Sequence, residues 1–268
     1  MTDSAKIRAG IGGWNFEPWE GTFYPADLPK KKQLDYASRQ LSTIEINATY
    51  YRGQTPATFA KWRSEVPERF VFSLKGNRFV TNRKVLAEAG PSLEKFFAQG
   101  LEELGAALGP IVWQFAPTKK FEAEDFEAFV KLLPGEHAGL KLRHVLEVRH
   151  DSFAVPEFVD IARRHGAAIC YAHHHDYPEI ADVTADFVYA RLQKGEDDIP
   201  TAYEPDALDE WAARAQAWAS GGQPDDVPLA DPDNQPQKQP RDVFVYFIHE
   251  GKIRAPQAAQ ALMARVAA

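Results

Sequence analysis

The chain has 268 residues, 44% of them hydrophobic and 26% charged, with a formal net charge of −7 at pH 7. A chain of this length and composition can bury one large core or two small ones. The acidic balance disfavours nucleic acid as a partner, because proteins that coat nucleic acid are normally basic, although it leaves room for a local basic pocket.

Neither a membrane span nor an export signal is expected. No apolar run approaches the ~20 residues of a membrane-spanning helix, and the polar N-terminus leads directly into a predicted strand. The single cysteine, Cys170, excludes an internal disulfide and fits a reducing compartment. Its apolar neighbours predict a buried structural thiol. We therefore expect a soluble, cytoplasmic protein without a membrane partner.

Strand-like runs alternate with helix-like stretches along most of the chain. The predicted strands are Lys6–Trp14, Leu41–Tyr51, Arg69–Asn77, Pro110–Ala116, His144–His150, Ala167–His173, Phe187–Gln193 and Asp242–His249. The predicted helices are Lys30–Gln40, Thr58–Val66, Leu93–Leu108, Ala123–Leu133, Pro156–His165, Asp206–Ala219 and Ala255–Val266. Eight parallel strands joined by helices close a barrel, so we predict an α/β fold with a single (β/α)8 TIM-barrel domain over residues 1–268.

One segment interrupts this alternation. Gly221–Gln239 is rich in Pro, Asp, Gln and Gly and predicts a long exposed loop at about residues 221–240. It joins the seventh predicted helix to the eighth strand, so in a barrel it lies on the face opposite the active site.

Polar residues occur at strand period inside apolar runs. In the second predicted strand, Glu45 and Asn47 point to one face while the isoleucines beside them point to the other. A strand buried on both faces should be continuously hydrophobic. The pattern returns at Glu147 with Arg149 and at Arg191 with Gln193. Such groups require a cavity or a satisfied buried network.

The C-terminal strand ends carry the chemistry of a TIM barrel. We predict Glu147 and Glu45 as the catalytic acid and base. The predicted substrate-binding residues are Arg149, Arg191, Lys75, Asn47, Gln114, Trp14, Tyr50 and His150. The three cations among them favour an anionic small molecule. Two alternatives remain open: mutually satisfied ion pairs among these charges, and a Schiff base formed by Lys75.

A histidine triplet offers an alternative, metal-based site. His173 and His175 share a strand face, and Asp176 and Glu147 could complete a His/carboxylate set for a divalent metal. No recognised metal-binding spacing is present, so a solvated loop is the favoured interpretation. The sequence identifies no cofactor, because the glycines after the first strand lack both the phosphate-loop and the dinucleotide-binding motifs.

Four motifs resemble domain-of-unknown-function family 72. Gly13–Pro25 is similar to the family's opening Gly-Trp…Trp-x-Gly-x-Phe-Tyr-Pro signature, and Glu45–Tyr51 resembles its Glu-Ile-Asn-x-Thr-Phe-Tyr element. Gly109–Gln114 and Glu147–Phe153 fall where the family has Gly-Pro…Gln and Glu-x-Arg-His-x-Ser-Trp. The resemblance runs from Gly12 to Leu262 and implies a TIM barrel without an established reaction.

The chain departs from the family at four positions. Asn82, Gln193, His249 and Ala258 stand where the resemblance implies His, His, Asn and Asn. The resemblance therefore implies that the half of the site built by strands two and five is retained. The half built by strands three, seven and eight is altered, which implies a changed substrate or reduced activity.

These observations predict an enzyme, of hydrolase or lyase type, that acts on a small anionic substrate by general acid–base chemistry at the C-terminal barrel mouth. One alternative is a metal-dependent phosphoester hydrolase, extending to nucleic-acid processing, which rests on fold analogy. Another is a non-catalytic ligand-binding or sensor protein. The sequence leaves the substrate and the oligomeric state open.

Overall fold

The computed structural model describes residues 5–267, in which eight parallel strands form a closed barrel. The barrel strands are β1 (Ile7–Gly12), β2 (Thr43–Ile46), β3 (Val71–Lys75), β4 (Leu108–Gln114), β5 (His144–Glu147), β6 (Ala168–His173), β7 (Phe187–Lys194) and β8 (Asp242–Glu250). Each strand pairs with its neighbours along the chain, and β1 closes the barrel by pairing with both β2 and β8. The predicted (β/α)8 fold is confirmed.

Helices occupy most of the connections between strands. They are α1 (Gln33–Gln40), α2 (Ala48–Tyr51), α3 (Pro56–Ser64), α4 (Arg78–Thr81), α5 (Gly90–Phe97), α6 (Ala123–Leu132), α7 (Pro156–Arg164), α8 (Pro205–Ala219) and α9 (Ala255–Val266). A small antiparallel hairpin, Glu136–His137 with Leu140–Lys141, precedes β5. Among the helices within residues 5–267, none is both long and apolar enough to cross a membrane.

Strand alternation divides the buried residues into two cores. One lies between the strands and the surrounding helices. The other fills the barrel interior and includes Val112, Val145, Tyr189 and Tyr246. Cys170 belongs to the interior core and is 3% exposed, as predicted for a structural thiol. Above this apolar filling, the same inward faces become polar.

The predicted helix Leu93–Leu108 is wrong in its second half. Helix α5 ends at Phe97, and Gly100 then adopts a φ of 86°. A Cβ at Gly100 would lie 2.5 Å from the Pro56 ring, so the chain requires glycine there and cannot continue as a helix. Leu101 and Leu104 belong to a 3₁₀ segment, Leu101–Ala107, and are buried. The apolar stripe therefore identified a segment that faces the core, but this segment is not one continuous helix.

The second strand is shorter than predicted, because the chain leaves the barrel after Ile46. Asn47 adopts helical dihedral angles, and α2 follows at once. The Thr49 hydroxyl lies 3.1 Å from the Ile46 carbonyl and 2.6 Å from the Lys75 carbonyl, and it satisfies backbone groups at the ends of β2 and β3. Tyr50 therefore reaches the barrel mouth from a helical turn. The first strand likewise ends at Gly12, two residues before Trp14.

The predicted exposed loop is partly anchored. The Asp182 carboxylate accepts hydrogen bonds from the backbone N–H groups of Ala230 and Asp231, at 2.7 and 3.0 Å. Asp231 in turn pairs with Arg163 at 3.1 Å. Residues 232–240 are mostly exposed, so the prediction holds for the second half of the loop alone. That half borders the N-terminal end of the barrel, opposite the mouth.

Candidate functional site

A cavity of about 320 Å³ opens at the C-terminal mouth of the barrel. Four basic residues belong to its lining: Lys75, Arg149, Arg191 and Lys252. Its volume lies near the lower limit for small-molecule sites, which are typically ~300–1,000 Å³. The cavity therefore suits a small metabolite.

Two larger cavities lie at the other end of the barrel. One of about 720 Å³ borders the first residues of β5 and β7, and one of about 1010 Å³ borders the first residues of β1 and β3. In TIM-barrel enzymes the chemistry occurs at the C-terminal strand ends, whereas the N-terminal face contributes stability. Size alone therefore does not identify the site, and the smaller mouth cavity is the candidate.

A buried arginine joins the two predicted catalytic glutamates. Arg191 on β7 donates from Nη2 to Glu45 at 3.0 Å and from Nη1 to Glu147 at 2.5 Å. Both glutamates are fully buried, and they project into the interior from β2 and β5. A carboxylate buried in this way requires such a partner, because desolvating an unpaired charge costs several kcal/mol.

Glu147 has a second cation beside it. Arg149 donates from Nε and Nη2 to Glu147 at 2.9 and 2.6 Å, and also from Nη2 to the side-chain amide oxygen of Gln114 at 2.7 Å. Burial by itself raises the pKa of Glu147, but Arg191 and Arg149 outweigh burial and lower the pKa to about 2. Glu147 is therefore ionised throughout the physiological pH range.

A layer of hydroxyl groups lies beneath the glutamates. Tyr189 donates to Glu45 at 2.7 Å, and its oxygen lies 2.9 Å from the Ser73 hydroxyl. Thr43 and Tyr246 form a hydrogen bond of 2.7 Å in the same interior. The sequence interpretation missed this layer. The sequence contained the signal for it, because Thr43, Ser73 and Tyr189 each lie two positions before a polar residue of the mouth and therefore on the same inward face of the strand.

Lys75 lacks an acidic partner. Its Nζ lies 4.7 Å from the centre of the Tyr50 ring, and within residues 5–267 no carboxylate oxygen lies within 4.0 Å of it. Burial and the nearby Arg191 lower the pKa of Lys75 to about 8, although Glu45 and Glu147 oppose the change. The two glutamates are already balanced by two guanidinium groups, so Lys75 is the surplus cation of the network.

Three predicted substrate-binding residues do not line the mouth cavity. Trp14 packs edge-on against Trp62 at 5.4 Å and lines a neighbouring groove of about 450 Å³. His150 accepts a hydrogen bond from the Ser152 N–H at 3.1 Å and caps a 3₁₀ turn. Asn47 borders both the groove and the mouth cavity. Tyr50 is not in the lining of the mouth cavity either, and the neighbouring Tyr51 lines it instead. The structure thus separates Trp14, His150 and Tyr50 from the other residues predicted to bind substrate.

The predicted metal ligands are not brought together. His173 points outward and packs against Trp211 of α8, with ring centres 5.0 Å apart. His175 is exposed beside Glu250, whereas Glu147 faces the interior. In residues 5–267, no group of three or more His, Cys, Asp or Glu side chains is placed to hold a metal ion. The four candidate ligands lie apart because β6 ends at His173, whose side chain is on the outward face of the strand.

The cavity rim is built from stacked rings that the sequence interpretation missed. The Arg149 guanidinium lies 4.6 Å from the Tyr177 ring centre, and Tyr177 stacks on His174 at 4.0 Å. His174 in turn contacts His249 at 5.2 Å. His249 has a φ of 72°, next to a register shift between β7 and β8. Bulges of this kind redirect side chains near functional sites.

The four departures from the family pattern fall in different places. Gln193 and His249 line the mouth cavity. The amide nitrogen of Gln193 is buried and has no hydrogen-bond partner in the described part of the chain. Asn82 follows the end of α4 and borders another surface pocket, and Ala258 is buried on α9. The altered residues that line the cavity therefore come from the seventh and eighth strands.

Solved structures of similar proteins share the barrel. A DUF72 family protein from Thermotoga maritima MSB8 has a TM-score of 0.69 and 20% identity, covering 96% of this chain and 97% of that one. A DUF72 family protein from Enterococcus faecalis V583 has a TM-score of 0.68 and 15% identity, covering 98% and 96%. At these identities the likeness shows the fold alone. Functionally curated proteins give no match. The family described as "Protein of unknown function DUF72" matches residues 8–268, and the chain therefore belongs to the DUF72 family.

Proposed function

We propose that the chain is an enzyme of lyase or hydrolase type that binds a small organic anion in the mouth cavity and uses Lys75 to transfer a proton. The observation that carries the proposal is the surplus positive charge of Lys75 in a cavity where both nearby carboxylates are already paired. An anionic ligand would supply the missing counter-charge. The buried amide nitrogen of Gln193, which has no hydrogen-bond partner among the described residues, can donate a hydrogen bond to such a ligand.

Lys75 is better suited to proton transfer than Glu147. A group that exchanges protons near neutral pH works best with a pKa close to the operating pH. The pKa of Lys75 is lowered to about 8, whereas that of Glu147 is lowered to about 2. Glu147 therefore has no proton to donate at neutral pH and is a weak base. We assign to both glutamates the role of holding Arg191 and Arg149 in place.

Anion binding can be tested by thermal unfolding. We expect small carboxylates and phosphate esters of matching shape to raise the unfolding temperature of the wild type by several degrees, because a ligand at ~100 times its Kd stabilises by about 2.7 kcal/mol. Replacing Lys75 by Met removes the surplus charge, so the shift should be lost. The control is Lys95→Met, which alters an exposed lysine on α5. An equal shift in both variants would contradict the assignment of the site.

The same pairing of the glutamates supports a second candidate, a protein that binds an anion without converting it. In that case Lys75 is a recognition group only. Saturable binding by the wild type, abolished by Lys75→Met and unaccompanied by any change in the bound molecule, would favour this candidate over the enzyme. Product analysis of the tightest-binding anions by mass spectrometry separates the two.

A further inference from the structure

The position of Lys75 is fixed at the end of its strand. The hydroxyl of Thr49 donates to the Lys75 carbonyl oxygen at 2.6 Å, and the next residue, Gly76, lies against the Trp113 ring. A Cβ at Gly76 would come within 2.2 Å of that ring, so glycine permits a contact that holds the strand end. Reactive groups on such rigid elements are held more accurately than those on loops. The backbone that carries the Lys75 side chain thus has a defined place in the cavity wall.

The amine is also free to react. A lysine in a salt bridge has its ammonium group hydrogen-bonded to a carboxylate, whereas the Lys75 ammonium group lies over the face of the Tyr50 ring. Only the unprotonated amine is a nucleophile. With a pKa lowered to about 8, roughly one quarter of Lys75 is neutral at pH 7.5, against roughly one in a thousand for an ordinary lysine.

We propose that Lys75 forms an imine with the aldehyde or keto group of a small organic anion bound in the mouth cavity. This inference rests on the proposed function, because it takes the same anion and the same cavity, and it makes Lys75 a nucleophile in place of a proton carrier. It assigns the substrate class as small carbonyl compounds that carry a carboxylate or phosphate group. Two partly exposed cations, Arg149 and Lys252, lie in the same cavity and are available to that anionic group.

The step balances without an added reagent. The lone pair of Nζ attacks the carbonyl carbon and forms a C–N bond, giving a carbinolamine. The C–O bond then breaks, and the oxygen leaves as water with two of the three protons of the original ammonium group. The iminium keeps the third proton and the positive charge. Glu45 and Glu147 lie close enough to favour a positive charge at Lys75, so they offset the charge of the iminium.

Reductive trapping tests the inference. The full-length protein is incubated at pH 7.5 with glyoxylate, pyruvate or glycolaldehyde phosphate in the presence of cyanoborohydride, which reduces an imine to a stable amine. Peptide mapping then locates the adduct. We expect one adduct per chain on Lys75, formed roughly 250-fold faster than on an ordinary exposed lysine, in proportion to the neutral fractions. Acetate and inorganic phosphate lack a carbonyl group that condenses and should protect Lys75 from labelling.

Two variants complete the test. Lys75→Arg keeps the positive charge but cannot form an imine, so anions should still stabilise it while trapping is lost. Lys95→Met should be trapped as the wild type is. Labelling of Lys75 at the rate of surface lysines, with anion stabilisation intact, would refute the imine and leave the proposed function standing. Absence of both trapping and anion stabilisation in the wild type would refute both.

Discussion

Lys75 shows how the surroundings of one side chain set its chemistry. The residue is 7% exposed, and burial disfavours its charged form. Arg191 and Arg149 disfavour that form further, whereas Glu45 and Glu147 favour it. The pKa of about 8 is therefore a balance that changes predictably when one neighbour is removed.

The ionisation of Lys75 can be measured directly. Acetylation with limiting reagent, followed by peptide mass spectrometry across a pH series, should give a half-maximal rate for Lys75 near its pKa of about 8. Replacing Arg149 by Gln removes a cation that lowers this pKa and frees part of the Glu147 charge, so the midpoint should move to higher pH. A midpoint that stays in place, or moves to lower pH, would contradict the electrostatic account.

At the same scale, the sequence revealed which polar residues lie at the mouth but not how they pair. Glu45, Glu147 and Arg191 could be assigned to inward faces, because alternation within a strand is a local property. Their partners come from strands that are distant in sequence: Arg191 meets Glu45 across 146 positions and Glu147 across 44. These contacts depend on closure and stagger of the barrel, which no local pattern encodes.

Among the elements, β7 links the two halves of the site. Replacing its Arg191 by Met leaves Glu45 without its salt bridge and Glu147 with Arg149 alone, and breaking a buried pair typically costs about 3–5 kcal/mol. We expect a loss of that size in urea unfolding at constant m. Arg164→Gln on α7 removes exposed ion pairs with Glu127 and Asp160 and should cost much less. Equal losses in the two variants would show that Arg191 is not structurally required.

The elements also show where sequence periodicity is insufficient. Leu93, Leu101 and Leu104 share a helical stripe, and all three are buried. The stripe nevertheless crosses Gly100 and Gly105, which adopt positive φ values of 86° and 50°. Apolar spacing reports that a segment faces the core, whereas the glycines determine whether it does so as one helix. The inward-facing polar residues of the site were predicted more accurately than the ends of their strands, because alternation within a strand is local whereas β2 already ends at Ile46.

For the whole molecule, the two ends of the barrel have separate roles. Strand β5 begins with His144, which packs outward between Trp113 and the Pro134 carbonyl, and ends with Glu147 at the mouth. Trp113 donates to His144 Nδ1 at 3.0 Å, so the ring must be neutral to accept this bond. Burial lowers the pKa of His144 to about 4. The N-terminal end of β5 thus holds a histidine that resists protonation and faces away from the barrel interior.

The lowered pKa values of His144 and Glu147 predict how the free energy of unfolding depends on pH. Between about 6.5 and 4, the unfolded chain protonates His144 while the folded chain does not, so the contribution of His144 is complete above pH 6.5 and is lost as pH falls to about 4. The loss amounts to roughly 3 kcal/mol, from ~2.5 pKa units at 1.36 kcal/mol each. The contribution of Glu147 is lost at lower pH, between about 4.5 and 2. Urea unfolding at a series of pH values should show both steps.

His144→Asn should flatten the upper step and leave anion stabilisation at neutral pH unchanged, because the His144 side chain points out of the barrel whereas Lys75 lines the mouth cavity. Lys75→Met should do the reverse, abolishing anion stabilisation while keeping the upper step. If His144→Asn weakened anion binding at a pH where it remains folded, the two ends would be coupled. The assignment of stability to one end and chemistry to the other would then be wrong.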